Sequence, residues 1–85
     1  MYEEWIIGWI SQNGNIAKEK LEKNMDVNYL EKGFIDSFEF ILLLNECEQK
    51  FSISFTEDEF SKDDFLTIRG FVRMIEEKSK QMEER

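Results

Sequence analysis

Histidine and proline are absent from this 85-residue sequence, and cysteine occurs once. Without histidine the chain lacks the usual general base near neutral pH and the commonest transition-metal ligand. A Ser-His-Asp or Cys-His site therefore cannot be assembled from it alone. A single cysteine excludes an intrachain disulfide. Cys47 stands between Glu46 and Glu48, which disfavour its thiolate, so it reads as a small core residue rather than a nucleophile. Glycine-rich phosphate loops and clusters of metal-ligand residues are missing too. The acids of "EDE" and "DD" lack the glycine and terminal glutamate of a calcium loop. The sequence thus predicts no catalysis and no metal site. No apolar run reaches the ~20 residues that span a bilayer. The opening "MYEEWII" carries acids where a signal peptide carries positive charge. The expectation is a cytoplasmic protein without membrane insertion.

Basic residues are also scarce: 11 Lys and Arg stand against 19 Asp and Glu, a net charge of −8. The imbalance sits in the middle, where residues 36–64 hold nine acids and two bases, a net −7. Such a segment repels a phosphate backbone, so no nucleic-acid partner is expected. It would speed encounter with a basic protein surface, or serve solubility only.

What the chain does contain is helical periodicity. Tyr2, Trp5, Ile6, Trp9 and Ile10 recur at i, i+3, i+4, i+7 and i+8, one face of a first helix. Asn13-Gly14 offers a left-handed stop, and Asn15 is a candidate cap for a short helix over 16–23. "NMDVNYLEKG" reads as a loop pinned by Val27, Tyr29 and Leu30. A second main helix is predicted from Asp36-Ser37 to about Lys50. "FSISF", 51–55, alternates like a strand but has no partner strand, so it becomes an extended connector burying Phe51, Ile53 and Phe55. Thr56 and Glu59 have capping-box spacing, "SKDDF" suggests another short turn, and Thr67 caps a last helix with Ile68, Phe71, Val72 and Ile75 on one face. These elements make an all-α fold, a small three-to-four-helix bundle with a long first loop. Residues 1–80 form a single domain and 81–85 a charged, frayed tail.

The second main helix is more apolar than one buried face requires. Phe40, Leu43, Leu44, Cys47 and Phe51 form a core stripe. Phe38, Ile41, Leu42 and Asn45 form another, rotated away from it and one turn from Ser37. Phe38 and Leu42 are expected to lie in an exposed docking patch. The alternative is a central helix with nearly all of its surface buried.

The segment "GFIDSFEFILLLNECEQKF", with "FSISFTEDEF" and "FLTIRGFVRMI" after it, resembles the acyl carrier protein superfamily over roughly residues 30–76. The "GxxDS" pattern and "EFSKDDF" are more like the D-alanyl carrier proteins than the fatty-acid carriers, although Phe38 stands where Leu or Met usually follows the serine. The resemblance implies the acyl-carrier type of helical bundle. It implies that Ser37, flanked by Asp36, carries a 4′-phosphopantetheine donated by coenzyme A, whose thiol holds an acyl or aminoacyl group as a thioester. The arm needs a phosphopantetheinyl transferase, an acyl- or aminoacyl-activating ligase and downstream acyl-using enzymes as partners. Phe38, Glu39, Ile41, Leu42, Asn45 and Glu48 would make the docking face of a monomer. From position alone Ser37 reads first as a plain helix cap, the commonest role for serine there; the family pattern shifts it to attachment, and the competing function is an unmodified helical interaction domain. The sequence does not choose among fatty acyl, aminoacyl and polyketide cargo.

Overall fold

The computed structural model describes residues 2–83, with side chains for all of these except 60, 82 and 83. Helix α1 spans Tyr2–Gly14, α2 Lys18–Glu22, α3 Ser37–Phe51, α4 Glu57–Phe60 and α5 Ile68–Glu83, with a 3-10 turn at Asp63–Leu66 before α5. No strand occurs among the described residues. The architecture is the all-α bundle that the sequence predicts, with a long loop between α2 and α3. Its core gathers Ile6 and Ile10 of α1, Leu21 of α2, Leu43 and Cys47 of α3, and Ile68, Phe71 and Ile75 of α5, all fully buried.

Three helix ends differ from the sequence reading. The sequence puts the left-handed stop of α1 at Asn13-Gly14, yet the helix runs through Gly14 and Asn15 takes the left-handed conformation at φ 56°. Gly14 is held by space instead: a β-carbon there would strike the backbone carbonyl of Phe34. Because Asn15 ends α1, it does not cap α2. That five-residue helix has Ala17 at its cap position and no side-chain bond there. The last helix continues to Glu83, past the Lys80 limit read from charge, and residues 84–85 of the expected tail lie outside the described residues.

Tyr29 pins the long loop. Its hydroxyl donates to the carbonyl of Phe65 and its N–H to that of Leu66, at 3.1 Å for the latter. Burial pushes the phenol well above its ordinary pKa, so it stays a neutral donor. Tyr29 is fully buried, as is Met25 nearly, whereas Val27 and Leu30 are half-buried. Phe65 then meets Phe55 and Phe71 edge-on, with centroids 4.9 and 5.1 Å apart. The connector after α3 opens with Ser52 in the left-handed conformation, takes no regular structure over 53–55 and buries Ile53 and Phe55, while Phe51 closes the helix half-buried.

Thr56 and Glu59 form the expected capping box of α4. Glu59 also reaches α5, where Lys78 Nζ lies 2.8 Å from its carboxylate in a largely enclosed pair. Partial burial favours the neutral acid, but the Lys78 hydrogen bond, the Thr56 N–H and the Lys78 charge outweigh it and hold Glu59 below the usual carboxylate range. A carboxyl depressed in the folded state stabilises fully above its unfolded pKa, near ~4.3 for Glu. That contribution is lost as pH falls through the folded value. Glu59→Gln should cost about 0.5–1 kcal/mol at pH 7, or ~2–8 °C in Tm. Melting curves of both proteins at pH 7 and pH 3 check this. The gap should narrow at pH 3, below the unfolded value; an equal gap at both would remove the charge from the account.

Candidate functional site

The Asp36-Ser37 pair is delivered by a turn in which Gly33 adopts φ 72°, a conformation that only glycine takes without cost. Phe34 and Ile35 then bury their side chains, which fixes the chain just before α3. Asp36 is the cap. Its Oδ1 accepts the Glu39 N–H at 2.8 Å, and Glu39 Oε1 accepts the Asp36 N–H at 3.0 Å. This reciprocal box satisfies two backbone donors. It leaves Ser37 at the first helical position with its side chain exposed. Among the described residues no hydrogen bond engages the Ser37 hydroxyl. The plain-cap role that sequence position allows for Ser37 therefore belongs to Asp36.

The donor set fits a phosphodiester on Ser37. The cap takes the N–H of Glu39 only, and the N–H groups of Ser37 and Phe38 have no partner inside a helix. They lie at the positive end of a four-turn helix, in the same turn as the serine. The serine is exposed, so a bulky group has room there among the described residues.

The two stripes of α3 separate as expected. Leu43, Leu44 and Cys47 are buried, with Phe40 and Phe51 half-buried beside them. Phe38, Ile41 and Leu42 remain 69%, 55% and 37% exposed, and Asn45 is exposed. Three large apolar side chains face solvent within two turns of the Ser37 hydroxyl. Glu39 and Glu48 are placed differently. Glu39 closes the cap, and Glu48 Oε2 accepts the Phe55 N–H at 2.9 Å, fastening the connector to α3. Both carboxylates thus have structural work inside the fold. The Glu39 role was available in the Asp-x-x-Glu spacing of 36 and 39; the Glu48 role needed the path of the connector.

Cys47 offers no competing nucleophile. Burial, with the Glu48 charge adding to it, pushes its thiol up to about 12. Among the described residues no group of acids, cysteines or histidines could hold a metal ion, and no helix is long and apolar enough to cross a membrane.

The chain is 36% identical over 63 residues to the D-alanyl carrier protein of Staphylococcus saprophyticus, covering 74% of this chain and 76% of that protein. It is 30% identical over 57 residues to D-alanyl carrier proteins of Bacillus mycoides and Bacillus cereus, covering 67% of this chain and 72% of each relative. No protein-family model matches it, and no solved structure does.

Proposed function

The chain belongs to the carrier-protein family, and from that premise we propose that it carries an aminoacyl group, D-alanine, as a thioester on a 4′-phosphopantetheine arm at Ser37. The observation that carries this is the uncapped, exposed hydroxyl of Ser37 at the head of α3. In the attachment, Ser37 Oγ forms a bond to the phosphorus of coenzyme A that bears the pantetheine, the nucleotide bisphosphate leaves, and a base of the transferase takes the hydroxyl proton. When bound, the arm supplies the thiol that holds the cargo. The chain itself supplies position: Asp36 and Glu39 lock the helix start, and the free N–H groups of Ser37 and Phe38 would favour a phosphate attached there. Phe38, Ile41 and Leu42 give the transferase, the ligase and later acyl-using enzymes an apolar foothold, and Asn45 borders it. The acidic segment around it steers basic partners inward. No catalysis belongs to the chain, and the reading places it in the cytoplasm, where coenzyme A and ATP are made.

D-alanine is preferred over fatty acyl cargo because the curated relatives carry that name. An unmodified interaction domain could use the same apolar patch, but it would have no need of a bare hydroxyl in the first turn. The cargo is tested by incubating the pantetheinylated protein with ATP, a D-alanine-activating ligase and labelled D-alanine. Label should join the protein and be released by neutral hydroxylamine, as a thioester is. Loading of a fatty acid by its own ligase, with D-alanine refused, would move the protein to another branch of the family.

A further inference from the structure

Gly8 has no explanation in the packing of α1. Glycine inside a helix costs up to ~1 kcal/mol relative to alanine, and a β-carbon on Gly8 would meet nothing within 4 Å. What the missing side chain does is open a groove of about 570 Å³ beside α1, lined by Glu4, Trp5, Gly8, Trp9, Lys18 and Glu46 among others. Trp5 is a fixed wall of this groove: half-buried, it sits edge-on to Phe51 with centroids 5.4 Å apart. Glu4, Lys18 and Glu46 are exposed, and among the described residues none of them forms an ion pair. Lys18 also borders an adjoining hollow with Glu3, Glu4 and Glu22, so acids outnumber it on both sides. A rigid indole with unpaired carboxylates next to cleared space favours a cationic head on an apolar stem. Glu46 follows Leu42 by one turn of α3, so one wall of the groove stands on the helix that carries the exposed apolar patch.

We infer that this groove is a second contact site for a protein partner docked on α3, and that it receives an arginine side chain of that partner. The guanidinium lies between Glu4 and Glu46, and its stem crosses Gly8 against Trp5. The inference rests on the reading of the α3 patch as a docking face. Charge selects a basic partner over a second copy, because each copy carries −8.

Trp5 and Trp9 are the two tryptophans of the chain, so two indole N–H signals in an NMR spectrum report on the groove. The unmodified protein is titrated with N-acetyl-arginine methylamide and, as a neutral control, N-acetyl-glutamine methylamide. The arginine probe should shift the Trp5 signal saturably and the glutamine probe should not. Gly8→Leu, which fills the notch, and Glu46→Gln, which removes a charge from the surface, should each weaken the arginine response about fivefold or more. Gly8→Leu should melt at or above the wild-type temperature, since the site is open and leucine is the better helix former. Equal shifts with both probes, no saturable shift, or an arginine response unchanged in both variants would overturn the inference. The titration needs no arm on Ser37. Arginine binding absent while Ser37 is still modified sinks the groove alone, and the converse sinks the carrier reading alone.

Discussion

Leu43→Glu is expected to unfold this protein, while Leu42→Glu, its neighbour, leaves the melting temperature within a few degrees of wild type. Leu43 is fully buried and Leu42 is 37% exposed. An unpaired carboxylate in the core either loses its hydration or forces the site open, at a cost of several kcal/mol. The whole stability of an 85-residue domain is only ~4–13 kcal/mol, so that single substitution consumes most of it. At position 42 the charge turns outward into water, and surface substitutions typically cost within about 0.5 kcal/mol. The functional consequence runs the other way. Leu42→Glu, and more so Phe38→Glu at 69% exposure, should slow modification of Ser37 about tenfold or more while the fold persists, because each puts a charge into the apolar foothold of the partner. Circular dichroism melts and initial modification rates, taken on the same preparations, separate the two effects. A folded Leu43→Glu beside an unfolded Leu42→Glu would reverse the assignment of the faces of α3.

That assignment was legible because a helix 15 residues long displays its periodicity over four turns, and two apolar stripes at different angles cannot both face one core. That residues 53–55 form a connector and not a strand was legible for a complementary reason: a strand without a partner leaves its backbone unpaired. The capping box of Thr56 and Glu59 could be read because its spacing is local. Which of Asp36 and Ser37 caps α3 could not be read from the pair itself, since both residue types serve. Glu39 decides it, by returning its carboxylate to the Asp36 N–H. The identity of the left-handed residue at the end of α1 also escaped. Gly14 is demanded by the nearness of Phe34, 20 positions away, and no local pattern announces such a contact. The hydroxyl of Tyr29 on the Phe65 carbonyl and Lys78 on Glu59 belong to the same class. Each joins residues that lie far apart along the chain, and each is visible only once the bundle has closed.

The central claim is that Ser37 is the attachment site, and the intact mass of the protein after incubation with coenzyme A and a broad-specificity phosphopantetheinyl transferase tests it most directly. Wild type should gain one phosphopantetheine and Ser37→Ala none. The variant must also fold as wild type does, and the structure says why it should. Asp36 holds the cap, so removing the Ser37 hydroxyl should change stability by less than about 0.5 kcal/mol, whereas losing a true cap costs ~1 kcal/mol. A Ser37→Ala protein with the wild-type melting temperature and no added mass is the predicted result. A wild-type protein that gains no mass, or a Ser37→Ala protein that still gains it, would contradict the account.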